Sequence, residues 1–431
     1  MKPARPATRR HIVGALVACA ALSLPAIRRA ASTDAPVIRL RRGMNLWPWF
    51  SLTREFPAPS TEYDWPSYQP DRPIPTRDDL SALRRAGIDF VRLPVDPGPL
   101  LAFAGDRRRR LLADVIAAIE LVLMHDLSIV VNLHPNSATH YWNPARLVGD
   151  VSAPLFTRYL RLVDDMAAQL ARFDPARVAF EPFNEPPQRC GAADWTIMQG
   201  ELSRAARRAA PSLTLVVTGA CGSMIAGLEP LNPSSLGDSN TLYAFHFYEP
   251  YLFSHQGAPW MTSEPMYRYL TAVPWPSSAG SREQTRAAVA ARLAADRATP
   301  VAEKRAIAAT IERLLNEYFA ARPDRRFIER DFARVTAWAD HHRIDRNRVL
   351  LGEFGALRTD ERYVAASAPD RARYIADVRE ACEAAGMPWA FWNFFNGMGL
   401  TTDDATREFD PAITAALGLR DPGARLSGSR R

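Results

Sequence analysis

The chain has 431 residues, 47% of them hydrophobic, so it can bury a large core, and both one big barrel and two ordinary domains remain open. Its formal charge of +7 does not mark a basic binding surface. Lys2, Arg5, Arg9, Arg10, Arg28 and Arg29 lie in the first 31 residues without an acid, and the remainder carries 48 basic against 47 acidic side chains, which removes the main support for nucleic acid or an anionic membrane as partner.

At the N-terminus a positive region is followed by the apolar run Ile12 to Leu24 and the small residues Ala30, Ala31 and Ser32. This reads as a cleaved export signal over residues 1–31. The segment Thr8-Arg-Arg-His-Ile-Val13 is similar to a twin-arginine signal, which places the mature protein in the periplasm or outside the cell. The apolar run falls well below the about 20 residues that a membrane span needs, so no span is expected in the mature protein.

Short apolar, β-rich runs then recur: Ile38 to Leu46, Phe90 to Val95, Ile129 to His134, Val178 to Asn184, Leu213 to Gly219, Leu242 to Tyr248, Val349 to Glu353 and Pro388 to Asn393. Helical segments lie between them, the clearest from Thr76 to Gly87, where Thr76 caps, Asp79 sits three residues on and Gly87 stops the turn. Others are Arg108 to Asp126, Ala153 to Phe173, Trp195 to Ala210, Arg326 to His342 and Pro369 to Ala385. Eight strands alternating with helices, and no glycine-rich phosphate loop after the first, favour a (β/α)8 barrel over an open doubly wound sheet. The fold class is therefore α/β, a single-domain TIM barrel over 36–421, with long βα-loop insertions.

Two stretches exceed a minimal barrel. Phe50 to Pro75 is rich in Pro and aromatics and is expected to form a rim loop, and 249–325 is an insertion after the sixth strand. Residues 422–431 read as a disordered tail. Cys190 and Cys221 each follow a strand by a few residues, and neighbouring strands could bring them into a disulfide; Cys382, on an apolar helix face, is expected to be a buried thiol.

Polar residues cluster where the strands end: Arg92, His134, Asn184 and Glu185, His246 and Tyr248, Glu353, and Trp392. Structural strands would end in ordinary turn residues, whereas the C-terminal mouth of a barrel gathers catalytic ones. Glu185 in Phe-Asn-Glu-Pro and Glu353 in Leu-Gly-Glu-Phe-Gly end the fourth and seventh strands, so they face each other across the barrel. Two opposed carboxyl groups are what glycoside hydrolysis with retention requires.

Seven motifs in order, Arg42-Gly-Met-Asn-Leu46, Val91-Arg-Leu-Pro94, Leu133-His134, Phe183-Asn-Glu-Pro186, His246-Phe-Tyr248, Gly352-Glu-Phe-Gly355 and Trp389-Ala-Phe-Trp392, resemble glycoside hydrolase family 5, the cellulase family of clan A retaining β-glycosidases. The resemblance runs from about Arg42 to Asn396. It implies Glu185 as acid/base and Glu353 as nucleophile, with Glu185 protonated at the start because the neighbouring carboxylate raises its pKa. Arg92 would keep Glu353 ionised, Tyr248 would donate to Glu353 and His246 would orient Glu185. Asn184 and His134 would bind sugar, and Trp392 would form a floor beneath it. The family often has an acid two residues before this histidine, where the chain has Asn132. Trp47, Trp49, Trp142 and Trp260 fall in loops on the site face and are further candidate sugar platforms.

His125, His134, His140, His255, His341 and His342 lack the carboxylate or cysteine spacing of a zinc site, and neither metal nor cofactor is expected. The resemblance implies a monomeric hydrolase of β-linked glucan, foremost an endo-β-1,4-glucanase acting by double displacement. Alternatives on the same catalytic set are a β-1,3-glucanase, a β-mannanase or a transglycosylase; a different class is a non-catalytic polysaccharide-binding or assembly protein.

Overall fold

A computed structural model describes residues 38–236 and 238–423 of the chain. The expected export signal and most of the expected tail lie outside the described residues. Eight parallel strands close into a barrel: β1 (Arg42–Asn45), β2 (Phe90–Val95), β3 (Ser128–Leu133), β4 (Val178–Glu181), β5 (Thr214–Thr218), β6 (Thr241–Phe247), β7 (Val349–Phe354) and β8 (Trp389–Phe391), with β8 pairing back onto β1. All eight coincide with the apolar runs of the sequence, as expected for parallel strands buried on both faces.

Alternation along each strand sorts the side chains into two sets. Val91, Leu93 and Val95 of β2 join the large core beneath the surrounding helices. Phe90, Val130, Ala179, Val216, Leu242, Ala244, Leu350 and Ala390 form a separate apolar cluster, the floor of the barrel interior. Gly43 of β1 is required there, because a Cβ at that position would meet the Phe90 ring at 2.3 Å. Two residues beyond these floor positions, on the same inward face, come Arg92, Asn132, Glu181, Thr218, His246 and Trp392. The polar mouth of the barrel is therefore a direct continuation of its apolar floor.

Helices follow the strands, from Arg77–Ala86 after β1 to Ala368–Ala384 after β7 and Pro411–Ala416 after β8. The first is fixed at both ends: Thr76 and Asp79 form a reciprocal cap, and Gly87 closes it in the left-handed region at φ 108°. After β5 there is only the single turn Ile225–Leu228. The insertion after β6 contains two long helices, Arg282–Ala295 and Val301–Ala321. No helix among the described residues is long and apolar enough to cross a membrane.

The Phe50 to Pro75 stretch is more ordered than a rim loop. It forms an antiparallel hairpin, Thr53–Glu55 with Tyr63–Tyr68, anchored to the loop after β3: the Glu55 carboxylate accepts the backbone N–H groups of His140 at 2.9 Å and Tyr141 at 3.3 Å, and the Trp142 indole donates to the Thr61 carbonyl at 2.7 Å. Beneath the hairpin lies Asp96, 1% exposed, which caps the helix Pro97–Ala102. It accepts from Gly98 N–H and from the Thr53 hydroxyl, both at 2.9 Å, and burial pushes its carboxyl up to about 7.

A disulfide joins Cys190, in the loop after β4, to Cys221, in the loop after β5. Cys382 is a buried free thiol.

Candidate active site

The barrel mouth is organised around Arg92, whose side chain is fully buried. Its guanidinium donates from Nε and Nη2 to both oxygens of Glu181 (2.7 and 3.0 Å), from Nη1 to Glu353 Oε1 (2.7 Å) and Asn45 Oδ1 (3.0 Å), and from Nη2 to Asn184 Oδ1 (2.6 Å). A guanidinium removed from water needs such compensation. Burial works against its charge, but Glu181 and Glu353 more than offset this and raise its pKa further. Asn45 in turn donates to the Gly352 carbonyl at 2.9 Å, and more weakly to those of Ala390 and Phe391, tying β1 to β7 and β8.

Glu353 is thus gripped on one side by Arg92 and on the other by the Tyr248 hydroxyl, which donates to Oε2 at 3.0 Å. The tyrosine stays protonated, since burial and then the Glu353 charge push its pKa well up. Across the mouth, Glu185 has a side chain 40% exposed, against 5% for Glu353. Its backbone sits at φ 43°, a region that costs a non-glycine residue of order 1 kcal/mol and is typical of functional sites. Oxygens of the two glutamates lie within 4.8 Å of one another.

His246, 2% exposed, stands between them, its Nδ1 at 2.7 Å from Glu185 Oε1 and 3.7 Å from Glu353 Oε2. A register shift between Phe245 and His246 sets the histidine opposite Glu353. Gly352 lets the ring lie against β7, since a Cβ there would approach Nε2 to 3.1 Å. Burial lowers His246, but the two carboxylates override it and carry it above the ordinary histidine range. Burial alone would raise Glu185, yet the hydrogen bond and charge of His246 pull it below the ordinary carboxylate range. Glu353 is raised by burial, opposed by His246 and Arg92 and reinforced by Glu185. The expectation that Glu353 would raise Glu185 is therefore corrected: the hydrogen bond and charge of His246, whose Nδ1 lies 2.7 Å from Glu185 Oε1, outweigh it.

A second chain of contacts runs sideways. Asn184 Nδ2 lies 3.3 Å from His134 Nε2, and His134 Nδ1 lies 3.0 Å from Asn132 Oδ1. Burial and then Arg92 lower His134 to about 3, so it is neutral; its Nδ1–H donates to Asn132 and its Nε2 accepts from Asn184. Asn132 thus supplies the acceptor at the position where the family often has an acid. Trp392 stacks against His134, with centroids 5.6 Å apart and planes at 20°, and Trp47 tilts over Trp392 at 6.1 Å.

The structure brings Glu185, Glu353, Arg92, His134, Asn184, His246, Tyr248 and Trp392 into one mouth. Among the aromatic candidates, Trp49 and Trp142 are buried at 7% and 2%, packed on Phe50 and Tyr141, and belong to the core. Trp260 is half-exposed and Trp47 partly so. Sequence reasoning missed Glu181 and Asn45. The signal for Glu181 was a lone acid inside an apolar strand, two residues beyond a floor position. Glu185, His246 and Glu353 are also the one group among the described residues whose ligand atoms cluster closely enough for a metal ion, but Arg92 already holds an oxygen of Glu353 and its positive charge opposes a cation there.

Residues 53–397 match the family described as Cellulase (glycosyl hydrolase family 5). The chain is 23% identical over 257 residues to Endoglucanase 3 of Fibrobacter succinogenes, a match covering 59% of this chain and 34% of that protein. It is 25% identical over 245 residues to Endoglucanase C of Acetivibrio thermocellus, covering 55% and 66% respectively. The chain thus spans less than two thirds of the length of these curated relatives. Among solved structures, Thermotoga maritima Cel5A in complex with cellobiose superposes with a TM-score of 0.62 at 20% identity, over 88% of this chain and 97% of that one. The cellulose synthase subunit Z of Clostridioides difficile gives 0.60 at 20% identity, over 88% and 99%.

Proposed function

The chain belongs to glycosyl hydrolase family 5, and from that premise we propose that it hydrolyses β-1,4-linked glucan internally, by double displacement with retention of configuration. The observation that carries the reading is the pair of opposed carboxyl groups, with oxygens within 4.8 Å. That spacing suits the about 5 Å of retaining enzymes and leaves too little room for the water that inverting enzymes place between carboxyls about 6.5–9.5 Å apart.

In this reading Glu353, oriented by Arg92 and Tyr248, attacks the anomeric carbon. Glu185, hydrogen-bonded to His246 Nδ1, delivers a proton to the leaving oxygen, and then removes a proton from the water that releases the sugar. Asn184, fixed by Arg92 and His134, reaches the sugar's 2-hydroxyl, and Trp392 supports the ring. Groups already held by a rigid guanidinium need little rearrangement as charge develops. Export to the periplasm or beyond is part of the proposal. It is supported by the Cys190–Cys221 bridge, a bond that persists in oxidising compartments.

Time-resolved proton NMR of cello-oligosaccharide cleavage tests the mechanism: the β-anomer is expected to appear first, and an initial α-anomer would reject the double displacement. Product analysis on cellulosic, β-1,3-glucan and mannan substrates tests the specificity. Short cello-oligosaccharides are expected from the first alone, and turnover of mannan without cellulose would remove the glucanase reading.

A further inference from the structure

The loops after β4 and β5 meet beside Glu185. Cys221, Gly222 and Ser223 follow one another at φ 50°, 68° and 60°, and non-glycine residues stay in that left-handed region only where their surroundings over-determine it. Three backbone contacts contribute here. The N–H of Cys221 donates to the Gln188 carbonyl at 2.8 Å, that of Gly222 donates to the Pro186 carbonyl at 3.0 Å, and the Ser223 carbonyl accepts the N–H of His246 at 2.8 Å. One turn thus holds the residue that follows Glu185 and also the histidine whose Nδ1 lies 2.7 Å from Glu185 Oε1. Glu353 is gripped elsewhere, by Arg92 and the Tyr248 hydroxyl.

The Cys190–Cys221 bridge is the covalent part of this clamp, since it ties the turn to the loop that leads away from Glu185. Cys190 is exposed and Cys221 half-buried, so a dithiol can reach the bond. Attack by its thiolate on one sulfur gives a mixed disulfide, and its second thiol then closes on the first. The dithiol thereby loses two electrons and two protons, and Cys190 and Cys221 gain them as thiols. With the link broken, only the backbone hydrogen bonds hold three successive left-handed residues at the rim of the barrel. A turn held so lightly can open locally without unfolding of the barrel beneath it.

We propose that the Cys190–Cys221 bridge positions Glu185, so that reduction by a dithiol impairs proton delivery to the leaving group and spares attack by Glu353. The inference rests on the reading of Glu185 as acid/base. Its test is kcat/KM, which reports the first, glycosylating step, for phenyl β-cellobioside, whose leaving group needs the proton, and for dinitrophenyl β-cellobioside, whose leaving group departs without it. Protein treated with dithiothreitol, and a Cys190→Ser/Cys221→Ser variant without reductant, are each expected to lose about tenfold on the phenyl substrate and less than about twofold on the other. That loss is part of the about 100- to 10,000-fold that general acid–base catalysis supplies. An equal loss on both substrates, unfolding included, means that the bridge serves stability alone and overturns the inference, as does no loss on either. The reduced protein decides by itself if the variant does not fold. Glu185→Ala in the same assay tests the underlying reading: if it spares the dinitrophenyl substrate the acid/base assignment stands whatever the bridge does, and if it loses both equally the assignment fails and takes the inference with it. If neither cellobioside is cleaved, the glucan reading fails instead, and the corresponding aryl β-mannobiosides carry the same comparison.

Discussion

At the mouth of the barrel, the buried acids Glu181 and Glu353 share one guanidinium, each at 2.7 Å from Arg92. Beneath the hairpin, Asp96 is just as inaccessible but receives only the neutral donors Gly98 N–H and Thr53 Oγ1, and its carboxyl rises to about 7. The contrast shows that burial does not by itself decide the state of an acid. For Glu353 the Arg92 charge and hydrogen bond oppose the rise that burial causes without cancelling it, whereas Asp96 has only neutral donors to oppose it.

The comparison is sharpened first at the catalytic pair. Glu353→Ala and Glu185→Ala are each expected to lower turnover on the order of 10⁴-fold or more while leaving the fold intact by circular dichroism. Azide should partly restore the first with product of inverted configuration. Near-normal rates in both variants would end the two-carboxylate mechanism.

The next largest effect is expected at Glu181, which touches no substrate in this reading. Glu181→Ala strips Arg92 of its bidentate partner and should cost about 3 to 5 kcal/mol in denaturant unfolding, as removal of one member of a buried pair does. Glu380→Ala breaks a half-exposed contact with Arg325 at 2.6 Å, and should cost at most about 1 kcal/mol. Equal losses in the two would show that the buried network is no stronger than a surface pair.

The smallest and most conditional effect lies at Asp96. Its folded pKa is raised, so between the ordinary carboxylate range and about pH 7 the folded state holds a proton that the unfolded chain has released. Stability must therefore fall as pH rises through that window, by about 4 kcal/mol in all. Asp96→Asn keeps an acceptor for Gly98 N–H and places an amide N–H where it can donate to the Thr53 hydroxyl oxygen, and should flatten this part of the stability profile. Parallel profiles for the two proteins, measured by urea unfolding from pH 4 to 8, would contradict the assignment.

Much of this was legible in the sequence, for identifiable reasons. Strands buried on both faces are continuous apolar runs, so β1 to β8 stood out, and the helix Arg77–Ala86 carried its start and stop signals in Thr76, Asp79 and Gly87. Residues at the strand ends were visible because charge and aromaticity there interrupt an apolar pattern. The hairpin was not, because Pro66 and the aromatics of Tyr63–Tyr68 obscure strand alternation. Nor were Asn45 and Asn132, whose roles depend on which strands stand side by side, or Trp49 and Trp142, since a loop on the site face can turn its aromatics inward. The state of Glu185 depended on a distance to His246 that no spacing in the sequence encodes.

The covalent link between the loops after β4 and β5 closes 31 residues of chain. On a loop-entropy account, oxidation of those two thiols restricts the unfolded ensemble by about 3.5 kcal/mol, and the segment restricted begins five residues after Glu185. The same polypeptide is thus a weaker fold where thiols are kept reduced and a firmer one where they are oxidised.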